Sequence, residues 1–137
     1  FLPAPISNQP TLIATPGTTA SERWKILASL KPSNFSSERN DLKKKISTFL
    51  NKDLMKESLW VRSRNPGDTF QPSGMKNTKK LQDFMVDSKI PRIDRDSIPL
   101  IVSNKGIAAV VGFRVADWAI PSKGEHSLYI EFDLEKY

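Results

Sequence analysis

The sequence contains no cysteine, which excludes disulfide bonds and thiolate metal sites. Its one histidine, His126, cannot build a metal cluster by itself, and we expect it at the surface where a strand begins. No apolar run approaches the roughly 20 residues that a membrane-spanning helix needs. These absences predict a chain without a metal site and without a membrane partner.

The sequence also lacks the short motifs that mark common catalytic centres. It has no Ser-Gly-Gly run, no phosphate-binding P-loop, no GxSxG elbow and no pair of histidines at metal-binding spacing. A carboxylate pair could in principle be drawn from the acids Asp68, Asp83, Asp87, Asp94 and Asp96. Asp68 follows Gly67, however, and is better explained as a turn residue that bonds its own backbone. We therefore expect no catalytic residue in this chain.

Basic residues, in contrast, are abundant. The 137 residues include 21 Lys and Arg against 15 Asp and Glu, a net charge of +6 with a sequence pI near 9.7. Such a balance suits a polyanionic partner, although many basic proteins have none. The chain begins at Phe1 with the Pro-rich stretch FLPAPISNQP. We expect residues 1–10 to be a linker at the start of a fragment and residues 11–137 to form one domain.

Alternation of apolar and polar residues predicts a mostly β fold of the α+β class. The predicted strands are Thr11–Thr15, Trp24–Lys31, Ile46–Leu50, Leu59–Arg64, Ile98–Val102, Ile107–Val115 and Leu128–Leu134. Pro32–Asn40 is predicted as an exposed loop and Asn51–Glu57 as a polar bend. The basic run Lys43–Lys45 has two interpretations, a solvated strand edge or a nucleic-acid contact.

The segment Leu59–Gly112 organises the chain, and it opens with a basic strand. Side chains in a strand alternate between faces, so Trp60, Arg62 and Arg64 share one side. An aromatic ring beside two guanidinium groups can stack on a base and bind phosphates. Alternatively, Trp60 packs in a second core layer and the arginines pair with acids such as Asp68. The residues Pro66, Gly67 and Asp68 then predict a structural turn.

One principal helix is predicted near Lys76–Ser88. Leu81, Phe84 and Met85 form an apolar stripe at helical spacing, and Pro91 prevents continuation of the helix. Lys76 and Lys79 fall on the face away from this stripe, and Lys80 lies at the flank of the stripe. They form either a solvated face, in which Lys79 pairs with Asp83, or a phosphate-contacting surface.

This segment resembles the C-terminal domain of tRNA(Ile)-lysidine synthetase. The resemblance rests on the run VRSRNPGDTFQPSGM, on KKLQDFMVDSKIPRIDRDSIPLIV, and on the apolar strand that ends at Gly112. The family pattern is roughly VRxRxxGDxFxPxGMxGxKKLKDxxxDxKIPxxxRxxxPLI, which is far more specific than a lone glycine motif. The sequence departs from it at Asn77, where glycine is usual, and at Gln82, where lysine is common.

The resemblance implies a fold and a role. The fold would be a layered, β-sandwich-like domain with one principal helix, shared with a module in the β subunit of phenylalanyl-tRNA synthetase. The family enzyme uses ATP to activate the wobble cytidine of a minor isoleucine tRNA, which lysine attacks to give lysidine. The catalytic domain of the family is N-terminal and holds the SGGxDS loop, with ATP and Mg²⁺. The chain itself would need no cofactor, would be non-catalytic and would bind tRNA on its acceptor-stem side.

The matched positions also imply which residues contact tRNA. These are Arg62, Arg64, Lys76, Lys79, Lys80, Lys89, Arg92 and Arg95. Residues 62–95 contain these eight basic residues and four acidic residues, a net charge of +4, which is most of the chain's +6. The family's location implies the bacterial cytoplasm or the plastid stroma. Two other functions stay open: a protein-interaction or homodimerisation module of a larger enzyme, and an independent small enzyme.

Overall fold

The computed structural model describes residues 6–21, 24–32, 38–40 and 45–134. Strands dominate these residues, which confirms the mostly β fold class. The strands are β1 (Thr11–Ile13), β2 (Gly17–Ser21), β3 (Trp24–Pro32), β4 (Glu38–Asn40), β5 (Lys45–Leu50), β6 (Leu59–Arg62), β7 (Thr69–Phe70), β8 (Lys79–Lys80), β9 (Leu100–Ser103), β10 (Gly106–Val110), β11 (Arg114–Val115) and β12 (His126–Leu134). The helical elements within the described ranges are α1 (Leu81–Asp87) and the 3-10 helices η1 (Lys52–Lys56), η2 (Arg92–Ser97) and η3 (Asp117–Ala119).

Two antiparallel sheets form the body of the domain. Sheet one has the strand order β1-β6-β9-β10-β11, and sheet two has the order β2-β3-β12-β5-β4. The sheets contact each other where β10 and β11 meet β5 and where β1 meets β2. This arrangement gives the layered, sandwich-like architecture that the family resemblance implied.

Strand alternation fills the space between the sheets with apolar side chains. In β12, Leu128, Ile130 and Phe132 are fully buried, whereas Tyr129 between them is only half-buried. Trp24 of β3 packs edge-on against Phe132, with ring centroids 5.9 Å apart. The strand predicted at Leu128–Leu134 is therefore confirmed, and its alternating apolar residues form the buried face. Its central position in sheet two, between β3 and β5, could not be predicted from that pattern.

A smaller unit made of β7, β8 and α1 lies beside sheet one. β7 contacts both β10 and α1. The predicted stripe of α1 is confirmed, because Leu81, Phe84 and Met85 are all buried. Phe84 packs against Phe70 of β7 with ring centroids 5.0 Å apart, so one aromatic pair joins the helix to the hairpin.

The predicted start of the helix, near Lys76, is wrong. Thr69 and Phe70 pair with Lys80 and Lys79 in an antiparallel ladder, and the Leu81 N–H donates to the Asp68 carbonyl oxygen at 2.9 Å. Main-chain pairing therefore holds the chain extended up to the first helical residue. The spacing of the apolar stripe located the buried face of α1 but carried no information about this non-local pairing.

Several other boundaries also differ from the predictions. Ile6 is buried in the core and the Ser7 carbonyl accepts from the Ser63 N–H at 3.0 Å, so these two residues of the predicted linker contact the domain. The predicted bend at Asn51–Glu57 is the short helix η1, and the predicted strand Ile107–Val115 is interrupted by a turn before β11.

Parts of three predicted segments lie outside the described residues, at positions 1–5, 33–37 and 41–44. The end of the predicted loop at Pro32–Asn40 is described, and it forms β4. Of the basic run, only Lys45 is described, and its ammonium lies 3.7 Å from Glu131 and 4.0 Å from Asp133. Lys45 is therefore partly neutralised by acids of the neighbouring strand β12.

Candidate nucleic-acid interface

The turn that follows β6 has the structure that its sequence predicted. The Asp68 N–H donates to the Asn65 carbonyl oxygen at 3.2 Å, which closes a four-residue turn with Pro66 and Gly67 at its centre. Gly67 has φ of +85°, a conformation that L side chains rarely adopt. A Cβ at Gly67 would meet nothing within 4 Å, so the backbone conformation, rather than crowding, requires glycine there.

The Arg62 side chain stabilises this turn by binding the Asp68 carboxylate. Its Nη1 and Nη2 donate to the two carboxylate oxygens of Asp68 at 2.9 and 3.0 Å, and Nη1 also donates to the Ser63 carbonyl at 3.0 Å. Asp68 Oδ2 additionally accepts from the Asn65 N–H at 2.7 Å. The two side chains are only 12% and 13% exposed. Arg62 therefore has the internal ion pair of the alternative interpretation, and it makes three hydrogen bonds within the protein.

The three lysines that the sequence predicted on the helix lie outside it, in different places. Lys76 is exposed in the loop that joins β7 to β8, where its carbonyl accepts from Gln71 Nε2 at 3.3 Å. Lys79 pairs with Asp87 near the end of α1, and not with Asp83. Lys80 is exposed and occupies the position just before α1. The prediction that a helix carries these lysines is therefore wrong, and β8 places the neighbouring side chains of Lys79 and Lys80 on opposite sides.

An open cleft of about 530 Å³ lies between the turn, the start of α1 and η2. We call it the turn cleft, and its lining residues are Arg64, Asn65, Pro66, Gly67, Asp68, Thr69, Lys80, Leu81, Gln82 and Asp96. It brings together two predicted contact residues, Arg64 and Lys80, and the whole predicted structural turn. Since the Asp68 charge is balanced by Arg62, two cations and the Asp96 carboxylate remain to set the charge of the cleft.

Arg64 and Asp96 form an ion pair across the turn cleft. Arg64 Nε donates to Asp96 Oδ1 at 2.8 Å, and the two side chains are 25% and 76% exposed. The sequence analysis assigned Asp96 no role. Its partner is 32 residues away along the chain, so no local spacing could have revealed the pair.

The end of α1 carries a lysine in an unusual backbone conformation. The Ile90 N–H donates to the Met85 carbonyl and the Lys89 N–H to the Val86 carbonyl, both at 3.0 Å. These two bonds define a Schellman motif, in which the residue at the position of Lys89 is usually glycine. Lys89 has φ of +57° and is exposed. Its side chain therefore stands at a position where glycine would relieve backbone strain.

Two predicted arginines lie on η2, together with Asp96. Arg95 is half-buried and its Nε donates to the Ile90 carbonyl at 3.0 Å, so it also supports the end of α1. Arg92 is exposed. Within the described part of the chain, Lys80, Lys89 and Arg92 have no acidic partner within 4.0 Å. These three cations are therefore available to an external anion.

The described ranges contain no cluster of three or more His, Asp or Glu side chains placed to hold a metal ion. The same residues include no helix long and apolar enough to cross a bilayer. The region around the turn cleft carries exposed ammonium and guanidinium groups, and the Arg62–Asp68 pair fixes the backbone of the turn. Such groups bind phosphate or carboxylate anions.

Comparison with known proteins identifies relatives of this arrangement. A sequence model of the family described as the TilS substrate C-terminal domain matches residues 59–132, which is more than half of the chain. A tRNA(Ile)-lysidine synthase of Caldanaerobacter subterraneus is 42% identical over 88 residues, which are 64% of this chain and 19% of that protein. A tRNA(Ile)-lysidine synthase of Dehalococcoides mccartyi is 35% identical over 112 residues, 81% of this chain and 23% of that protein. The chain thus spans about a fifth of the length of these relatives.

A solved structure shares the fold. A crystal structure of a TilS C-terminal domain superposes with a TM-score of 0.61 over 93% of both chains, at 22% sequence identity. The sequence match covers the turn cleft, α1, η2 and the strands that follow them, and the structural match extends to both sheets. The chain belongs to the TilS substrate C-terminal domain family.

Proposed function

We propose that this chain is the tRNA-binding C-terminal domain of a tRNA(Ile)-lysidine synthase and that the turn cleft and the end of α1 contact the RNA backbone. The observation that carries the proposal is the set of exposed, acid-free cations Lys80, Lys89 and Arg92 within the segment that matches the family. The choice of tRNA as the ligand follows the names of the relatives, each of which is a tRNA(Ile)-lysidine synthase.

The chemistry of these residues fits duplex RNA better than a base-reading code. Duplex RNA is recognised mainly through phosphates, 2′-hydroxyls and shape, because its deep major groove hides the base edges. Lysine and arginine supply that recognition, and binding releases counterions from the RNA. We place the contact on the acceptor-stem side of a minor isoleucine tRNA, as the family resemblance implies.

Catalysis is assigned elsewhere in this proposal. ATP and Mg²⁺ would bind a separate catalytic domain of the parent enzyme, which forms lysidine at the anticodon in the cytoplasm or plastid stroma. The role of this chain would be to hold the tRNA while that domain modifies it.

The first test removes two of the free cations. A Lys80→Ala/Arg92→Ala variant should bind an isoleucine tRNA more weakly at low salt, and its log affinity should depend less steeply on log salt by somewhat less than one per lost phosphate contact. The melting temperature should stay nearly unchanged, because exposed charges contribute little to stability. Fluorescence anisotropy across about 50 to 200 mM salt measures both the affinity and the slope.

The matched control removes the same charge elsewhere. Lys56 in η1 and Lys123 in the turn before β12 are both exposed, so a Lys56→Ala/Lys123→Ala variant separates local contact from net charge. An equal loss of affinity in both variants would reduce the effect to non-specific attraction. Unchanged affinity and slope in the Lys80→Ala/Arg92→Ala variant would favour docking to an acidic protein partner instead.

The second test uses the backbone conformation of Lys89. A Lys89→Gly variant should unfold at higher denaturant concentration, with a gain of about 0.5 to 1 kcal/mol, because glycine adopts positive φ without strain. The same variant should bind tRNA more weakly, since it lacks the ammonium group. Urea unfolding and tRNA titration report the two effects separately.

Lys89→Ala provides the control for this opposed effect. Alanine removes the charge but keeps the strained backbone, so it should weaken tRNA binding without stabilising the fold. Full tRNA affinity in Lys89→Gly would remove Lys89 from the proposed interface, whatever happened to stability.

A further inference from the structure

Asp96 binds the guanidinium group of Arg64, which under the proposed function would bind an RNA phosphate. It lines the turn cleft and accepts from Arg64 Nε at 2.8 Å. The terminal Nη groups of Arg64 have no hydrogen-bond partner among the described residues. A phosphate bound by these groups would bring its negative charge close to the Asp96 carboxylate, and the two anions would repel each other.

The Arg64–Asp96 pair and the Arg62–Asp68 pair each join an arginine to an aspartate, but they differ in geometry and exposure. Arg62 and Asp68 make two side-chain bonds, are about one-eighth exposed, and are further fixed by the Asn65 N–H. Arg64 and Asp96 make one bond, and Asp96 is 76% exposed. A single bond to a well-solvated carboxylate contributes little to stability and is readily exchanged for another anion.

We infer that Asp96 is an internal competitor for the anion-binding position of Arg64, which an RNA phosphate must displace. The inference rests on the proposed function, because it takes an RNA phosphate as the displacing group. On displacement, the Asp96 carboxylate turns to solvent and the phosphate takes over the guanidinium. The loss of folding stability is small, because the described residues make no second hydrogen bond to the Asp96 side chain.

Because of this competition, an anion would need more than one contact with the protein in order to bind. An anion that reached only Arg64 would have to replace an existing partner and would gain little. A polyanion that also contacted Lys80 or Arg92 would offset that loss through contacts that no internal acid occupies. Asp96 would thereby favour an extended RNA backbone over isolated anions, a form of selection against unwanted partners.

The test is a double-mutant cycle on tRNA affinity at low salt. Asp96→Asn should bind an isoleucine tRNA about two- to fivefold more tightly, the range expected when an exposed ion pair is removed. Asp53→Asn is the matched control, because Asp53 is 70% exposed and pairs with Lys56 away from the turn cleft. The gain from Asp96→Asn should disappear in an Arg64→Ala background, since the competition acts through that guanidinium.

Three outcomes would overturn the inference. These are an affinity gain no larger in Asp96→Asn than in Asp53→Asn, a loss of affinity in Asp96→Asn, and a gain that persists without Arg64. A loss would show that Asp96 positions Arg64 rather than competing for it.

Failure of the proposed function would be seen separately. If the unaltered chain binds no tRNA, the proposed function is wrong, and inorganic phosphate then becomes the probe. Titrated phosphate should shift the NMR signal of the Arg64 Nε–H more in Asp96→Asn than in the unaltered chain. Equal shifts would reject the competitor role as well.

Discussion

Arg62→Ala is expected to lower the free energy of unfolding by about 3 kcal/mol, because it leaves the carboxylate of Asp68 largely buried without its counter-charge. The loss should extend beyond one ion pair. Asp68 also accepts from Asn65 and its carbonyl accepts from the Leu81 N–H, so the turn and the start of α1 depend on its position. Urea unfolding monitored by tryptophan fluorescence measures the change.

An exposed ion pair gives the comparison. The ammonium of Lys52 lies 3.4 Å from Glu125, with side chains 45% and 49% exposed, so Lys52→Ala should change stability by less than about 1 kcal/mol. If Arg62→Ala is equally mild, the pair with Asp68 is not a structural support. Under conditions where the variant stays folded, its salt dependence of tRNA binding should match that of the unaltered chain. A flatter salt dependence would return Arg62 to the RNA-contacting set.

Phe70→Ala is expected to cost about 3 to 5 kcal/mol, the range for removing a buried aromatic side chain. Phe70 is fully buried and its ring meets that of Phe84 nearly at a right angle, at a centroid distance of 5.0 Å. The pair fastens α1 to the β7–β8 hairpin. Its loss should therefore loosen the unit that carries Lys80 before it loosens the sheets.

Hydrogen exchange distinguishes this local effect from a uniform loss of stability. Amides of α1 should exchange faster in Phe70→Ala by a larger factor than amides of β12. Phe49→Ala is the control, because Phe49 also stacks on an aromatic ring, that of Tyr129 at 4.9 Å, but is only half-buried. Equal destabilisation by the two changes, or uniform acceleration across both sheets, would contradict the proposed fastening role.

Patterns local to the sequence were sufficient for much of the fold. Period-two alternation located β6 and the buried face of β12, and the spacing of Leu81, Phe84 and Met85 identified the buried face of α1. The turn at Pro66–Asp68 was likewise predicted from residue types whose backbone preferences are local. Each of these features depends on neighbours a few positions away, so the sequence carries the information directly.

The remaining features depend on residues far apart in the chain. The start of α1 is set by pairing of Lys79 and Lys80 with β7, and the charge state of the turn cleft by Asp96. Leu30 shows the same limit within a correctly predicted strand. Strand alternation places Leu30 on the same face as the buried Ile26 and Ala28, yet Leu30 is half exposed, because burial also depends on what the opposite sheet covers.

The middle position of β12 has a consequence for the order in which the domain can be built. β3 and β5 both precede β12 in the chain, and neither pairs with the other. Until residues 126–134 have left the ribosome, sheet two can exist only as two separate strand pairs, β2–β3 and β4–β5. Both β3 and β5 then present an edge of unpaired main-chain N–H and C=O groups, on which nascent chains can pair with one another. The insertion of β12 between β3 and β5 therefore removes both open edges in one step and closes the core around Phe132.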